Sequence, residues 1–359
     1  MIAALLIVAL TACGVRGPAP CGQVVSPQPS GWAGDPGAIA SDVASGLVPP
    51  YYVAVNDADA VVQATATGRT LATILPPTAG GKIVGATAAA GDRTFIVGET
   101  QGIGSVADAF YLFRLSSSGR PGALRHLPVS VPGGETMDGF ALSPDADKLA
   151  VAVLSGPTGQ EFGIEVYTLV TGAVRIWTAS SPTPGLILMG ESTLSWTQDE
   201  RTLSFPWGLR RWSPASSGTR LLSLDAPGGN LLTASRAAPA GIGHGWVCSG
   251  IPVITPDGKT LACGAVSPAK PVANDQVAGV AEYDAASGKL ERVLGQHQSA
   301  PAGALLWWEN TSGSVLIGGI KGPFNSCPMA LPPTVGVFTG NRFVALPGMP
   351  ELFFGSFAW

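Results

Sequence analysis

After residue 50 the chain alternates short apolar runs with clusters of Gly, Pro, Asp, Ser and Thr. Short apolar runs bounded by turn residues predict β-strands rather than helices. The clearest instance is "IPVITPDGKTLACG" (251–264), where an apolar run ends at Thr255, a turn follows, and a second run starts at Leu261. Related stretches are "ALSPDADKLAVAV" (141–153), "LSWTQDERTLSF" (194–205), the weaker "ATAAAGDRTFIVG" (86–98) and the degraded "WWENTSGSVLIGG" (307–319). The first apolar residues after these turns are Phe95, Leu149, Leu203, Leu261 and Leu316, at intervals of 54, 54, 58 and 55.

A second register runs through Gly68, Gly119, Gly172, Gly218, Gly288 and Gly340, with a mean interval of about 54. Ser, Thr or Ala followed by Gly supplies the positive φ that a hairpin loop requires. Each repeat therefore holds two hairpin turns and about four strands, the mark of an all-β propeller whose sheets bury their faces against one another. Strands near Tyr51–Val55, Ala60–Ala64 and Thr70–Leu75 lack an innermost partner, and "MPELFFGSFAW" (349–359) ends the chain with a spare apolar strand. The count gives six four-stranded blades, with seven as the alternative, closed by the C-terminal strand joining the N-terminal blade. Closure removes the free sheet edges of a linear array.

The "SPDADKL" and "TPDGKTL" turns resemble the repeats of TolB-like and WD-repeat-like bacterial propellers. The nearest likeness is to actinobacterial secreted propellers built from degenerate copies of that repeat, over roughly residues 50–359. The resemblance implies the fold; propellers host binding, scaffolding and catalysis alike. The "GH…WD" signature of true WD repeats is missing, so that group's partners are not implied.

Composition agrees with many short strands. Gly (48) and Pro (31) are abundant, while only 12% of residues are charged and 46% are hydrophobic. The net charge is −4 and no basic cluster exceeds "LRRW" at 209–212, which argues against a nucleic-acid partner.

The first residues, "MIAALLIVALTAC", form an apolar stretch too short to span a bilayer and of the length of a signal-peptide core. Leu10-Thr11-Ala12-Cys13 resembles the bacterial lipobox, although no Lys or Arg precedes the apolar run. The organisation expected is a signal peptide at 1–12, a lipidated Cys13 with a Gly/Pro/Ser-rich tether over 13–49, and a propeller domain over 50–359. That arrangement places the domain on the outer face of the cell membrane, held by a lipid anchor.

In such a setting the other four cysteines are disulfide candidates, and four cysteines allow three pairings. Cys248 and Cys263 flank one hairpin turn and are the favoured pair, with a bulge or offset required; Cys21 would then staple the tether to the last blade at Cys327. The three aspartates at equivalent turns, Asp145, Asp199 and Asp257, are expected to cap their turns by accepting backbone N–H groups. The spacings Asp57/Asp59 and Asp145/Asp147 lack the further ligands of a calcium loop, and no metal is expected.

"GIGHGWVC" puts His244, Trp246 and Cys248 on one strand face, after "DAPGGNLLTASRAAPAGIG", the longest connection between successive blades. With Asp138 and Glu191, His244 and Trp246 are the candidate ligand rim. His126 reads as a surface residue of an outer strand. Of the adjacent Trp307 and Trp308, one packs between blades and the other faces elsewhere; core packing is favoured, with sugar or peptide binding by an exposed ring as the alternative. No nucleophile elbow, phosphate loop or dinucleotide fingerprint occurs, and no cofactor is expected. The leading reading is a monomeric, non-enzymatic binding or scaffold propeller for a protein, peptide or wall component. The alternative is a hydrolase or lactonase-like enzyme acting through His244, Glu191 or Asp138 at the channel mouth.

Overall fold

The structure is a computed structural model and describes residues 36–56, 58–91, 93–101, 107–131, 136–155, 161–180, 194–207, 218–239, 245–248, 252–267, 277–298, 308–311, 315–320, 334–339, 342–347 and 357–359. Strands that are apolar on both faces must be covered on both sides, and a ring of sheets does this without free ends. The described strands form six small sheets, and the fold is an all-β propeller. In the third sheet Thr136–Leu142, Lys148–Ser155, Glu161–Thr168 and Val174–Ser180 lie side by side in chain order, each antiparallel to the last. The second sheet (Lys82–Ala88 to Arg125–His126), the fourth (Ser195–Trp196 to Ser235–Ala237) and the sixth (Trp308–Thr311 to Arg342–Ala345) follow the same order.

The first sheet closes the ring. Tyr51–Val55 pairs with Ala60–Ala64 on one side and with the C-terminal Phe357–Ala358 on the other, with Val53 opposite Ala358 and Ala54 opposite Phe357. The chain's last strand thus fills the innermost place that the sequence left open.

Packing runs around the ring. Val53, Val55 and Val62 of the first sheet meet Phe95, Val97 and Phe113 of the second. Ile96 and Phe110 meet Leu149, Val151 and Val153 of the third. Phe162 and Ile164 meet Leu203, Phe205 and Leu222 of the fourth. Leu221 meets Ile254 and Leu261 of the fifth. Val337 and Val344 of the sixth meet Tyr52, Ala54 and Trp359. The repeat residues Phe95, Leu149, Leu203 and Leu261 all lie in this core and stand opposite Ala88, Leu142, Trp196 and Ile254. In the sixth sheet the polar Asn310 takes that place, opposite Leu316.

Three expectations are corrected. Pro36–Ala44, in the stretch read as tether, is a helix whose Ile39 is fully buried with Tyr52, Val344 and Trp359. Pro at the first helical position and Gly46 in the left-handed region (φ 74°) are its start and stop signals. Helical spacing carries Ile39 and Val43 to one side, where they cover the seam between the sixth and first sheets.

Gly218 is not at a hairpin between the third and fourth strands. It opens the third strand of its sheet, opposite Trp207. Gly340 lies outside the described residues.

The stretch 225–243 is mostly not a connection between successive sheets. Gly229–Asn230 runs parallel to the outer strand of the third sheet, Leu231–Ala234 is a short helix, and Ser235–Ala237 is the fourth sheet's outer strand. The strap is pinned by Arg175 Nη1 on the Leu224 carbonyl and by Trp177 Nε1 donating to the Pro227 carbonyl at 2.8 Å. A Cβ at Gly228 would lie 2.8 Å from the Ile176 carbonyl oxygen, so only glycine lets the strap seat.

Candidate functional site

The two ends of the sheets differ in kind. At one end, the first and second strands of the second to fifth sheets are joined by turns 89–93, 143–147, 197–201 and 255–259, all of five residues, and those of the sixth by 312–314. At the other, the second-to-third connections 56–59, 101–108, 156–160, 208–217, 268–276 and 321–333 range from four to thirteen residues. A constant end is structural, and a variable end is where loops carry function on a rigid frame.

The constant end is sealed by one device used three times. Ser143, Thr197 and Thr255 accept from the backbone N–H of Lys148, Thr202 and Thr260 at 3.0, 3.0 and 3.2 Å. The same hydroxyls donate to Asp145, Asp199 and Asp257 at 2.9, 2.6 and 2.7 Å. Each aspartate also accepts the N–H two residues on, from Asp147, Arg201 and Lys259. These three aspartates are turn caps, as the sequence indicates. All three carboxyls are held below the ordinary aspartate range: for Asp145 and Asp257 burial opposes ionisation but hydrogen bonds outweigh it, and for Asp199 the Thr197 hydroxyl leads.

Neighbouring turns are linked to one another. Ala90 N–H donates to the Pro144 carbonyl at 2.9 Å, and Gln198 N–H to the Pro256 carbonyl at 2.6 Å. Pro144 has no N–H, so the same bond cannot run from the third sheet's turn to the fourth sheet's. Glu200 replaces it: its Oε1 accepts the Asp145 N–H at 2.9 Å, and its Oε2 pairs with Lys148 Nζ. Asp145, Asp147 and Glu200 each bring an oxygen within 4.8 Å of the others, and the Lys148 ammonium, 2.7 Å from Asp147, balances them. Burial, then Asp145, pushes the Glu200 carboxyl up. The spacing Asp145/Asp147 thus marks a bridge between sheets. Its third acid is out of reach of a local sequence window.

At the variable end the described residues give a partial view. His244 and Glu191 lie outside them. Asp138 occupies a β-bulge, where the pairing steps from Met137–Val153 to Gly139–Ala152. Val84, at the equivalent place in the second sheet, is bulged in the same way. Bulges re-aim the strand at the rim, so the innermost strands bend at a common level. Trp246 is half-buried and packs with Cys248 against Cys263, Ala265, Ala281 and Tyr283 of the fifth sheet. Asp138 and Trp246 therefore belong to different sheets.

Cys248 and Cys263 form a disulfide with their Cα atoms 5.7 Å apart. The required offset is present: pairing steps from Cys248–Ala265 to Val253–Ala262, an advance of two residues, so Cys248 faces Cys263 diagonally. Cys13, Cys21, Cys327, Asp57 and Trp307 lie outside the described residues. His126 is exposed, with its ring 5.3 Å from that of Tyr111.

Two carboxylates that carried no sequence signal brace the same end. Glu99, 1% exposed, accepts from the Thr78 N–H at 2.8 Å and hydroxyl at 3.0 Å. Asp108 accepts from Thr100 Oγ1 at 3.0 Å and the Gln101 N–H at 2.9 Å. Among the described residues no helix is long and apolar enough to cross a membrane.

No family model matches the chain, and no curated protein matches it. Solved structures do. A prolyl endopeptidase shares 14% identity over 75% of this chain and 36% of its own, with a TM-score of 0.41. The β-propeller domain of Cps50 (Swd1) from Myceliophteria thermophila shares 12% over 76% of this chain and 77% of its own, with a TM-score of 0.41. The tricorn protease shares 10% over 82% of this chain and 29% of its own, with a TM-score of 0.44. The chain thus spans about a third of the length of the prolyl endopeptidase it matches.

Proposed function

We propose that the chain is a lipid-anchored, extracytoplasmic binding propeller of six four-stranded blades. Cys13 carries the lipid, and the variable end holds a protein, peptide or cell-wall component. The observation that carries this reading is the contrast between the ends. The five-residue turns at one end spend their polar groups on one another, whereas the connections at the other vary in length and meet bulged innermost strands. The Cys248–Cys263 disulfide supports an oxidising compartment, in keeping with the Cys13 motif.

A photo-crosslinking residue placed in the 208–217 or the 268–276 connection, in the native host, should capture a discrete partner. The same residue at Gln198 or Ser287, on the turn end, should not. Adducts formed only from the turn end would overturn the reading. The hydrolase alternative has its own test: loss of ester or lactone hydrolysis on replacing His244, Glu191 and Asp138 would establish it.

A further inference from the structure

The two described pieces of the fifth sheet's innermost strand are offset in register. The turn-end piece, Val253–Ile254, pairs with Leu261 and Ala262, while the rim-end piece, Val247–Cys248, pairs with Ala265 and Val266. Among the described residues two ladder pairs hold the rim piece, and Gly245, in the left-handed region at φ 78°, precedes it. Two pairs of an edge segment give little stability by themselves. Trp246 and Cys248 pack against the cluster of Cys263, Ala265, Ala281 and Tyr283. Among the described residues the buried Tyr283 hydroxyl has no hydrogen-bond partner. In the third sheet Tyr167 holds the equivalent place, one residue before the hairpin, and its hydroxyl donates to the Ser130 carbonyl at 3.0 Å. A buried hydroxyl without a partner destabilises whatever conformation buries it. The rim segment is therefore weakly laddered, and it packs on the cluster that holds this unpartnered hydroxyl.

We propose that the Cys248–Cys263 disulfide is a redox-sensitive latch that seats Gly245–Cys248 on the fifth sheet, and that its reduction by a dithiol releases this segment and exposes Trp246. Cys248 is half-buried whereas Cys263 is fully buried, so the incoming thiolate attacks the Cys248 sulfur. The Cys248–Cys263 bond breaks, and Cys263 leaves as a thiolate that takes up a proton. The second thiol of the reductant then attacks the mixed disulfide, leaving Cys248 as a thiol and the reductant oxidised to its own disulfide. The two electrons come from the dithiol. With the covalent tie gone, two ladder pairs and the packing of Trp246 are what hold the segment against hydration of the cluster.

The test is amide hydrogen exchange read by mass spectrometry on the whole chain with Cys21→Ser and Cys327→Ser, with and without dithiothreitol. Reduction should speed exchange over 245–248 and at Ala265–Val266 by roughly tenfold or more, with the other sheets unchanged. Tyr283→Phe, which removes the unpartnered hydroxyl, should shrink that increase. Unchanged exchange on reduction would overturn the proposal, and so would a uniform rise across all sheets, which would make the disulfide a global staple. An increase in Tyr283→Phe as large as in the parent would remove the part assigned to the hydroxyl.

Discussion

The indole N–H of Trp359, the last residue, donates to the hydroxyl of Thr65 at 3.3 Å, across 294 positions of sequence. The Trp359 ring is fully buried and stands edge-on to Tyr52 with centroids 5.9 Å apart. Among the described residues two ladder pairs hold the closing strand, so Trp359 supplies much of what keeps the ring shut. Trp359→Ala should cost about 3–5 kcal/mol in thermal or urea unfolding. Trp359→Phe keeps most of the apolar contact and loses the hydrogen bond, and should cost about half as much or less. A near-neutral Trp359→Ala would mean that closure rests on the helix Pro36–Ala44 instead.

The strap over the third sheet gives a sharper steric prediction. Gly228→Ala places a methyl group against the Ile176 carbonyl, an atom that cannot move without disturbing its strand. The expected loss is about 1–3 kcal/mol. Gly229→Ala is the control: its Cβ meets nothing within 4 Å, so any cost there comes from φ 133° alone. If Gly228→Ala is harmless in urea unfolding, the strap does not seat as described.

These cases show where the sequence was legible. The turn at 255–260 could be read because its chemistry is local: Thr255, Asp257 and Thr260 bond to one another within six residues. The core positions Phe95, Leu149, Leu203 and Leu261 could be read because a strand register repeats with the blade. Glu200 could not, since its role depends on Pro144 in the adjacent sheet lacking a donor. The strap within 225–243 reads as a connection between blades because a parallel pairing to another sheet leaves no periodic signal. Glycine spacing misled at Gly218, where one sheet places its long loop before the third strand. The rim itself was the least legible part, since connections that vary from blade to blade share no pattern to align.

Glu200 carries two opposed effects that substitutions can separate. Its backbone is left-handed at φ 56°, a region that favours glycine, and the equivalent residue of the fifth sheet is Gly258 at φ 71°. Its side chain, 10% exposed, bridges to the third sheet. Glu200→Ala loses the bridge and keeps the backbone cost, so about 1.5–3 kcal/mol should be lost. Glu200→Gly loses the bridge and relieves the backbone, recovering about 1 kcal/mol of that. Equal stabilities of the two variants in urea unfolding would contradict the strained turn.

The capping carboxylates set the acid limb of stability. Asp145, Asp199 and Asp257 have folded-state values below those of the unfolded chain. Groups of that sign contribute stability that is present above the unfolded aspartate value, about pH 4, and lost as pH falls through their lowered values. Glu200 has the opposite sign, being raised, so its contribution declines as pH rises from the ordinary glutamate range through its folded value. The two effects act in adjoining windows, with acid loss governed by the three aspartates because Glu200 is already protonated there. The triple variant Asp145→Asn, Asp199→Asn, Asp257→Asn keeps an oxygen acceptor at each turn and removes the titration. Its melting temperature should fall less steeply than the parent's below about pH 4, even though it starts lower at neutral pH. Parallel curves for the two proteins would show that acid loss does not arise from the three capping aspartates.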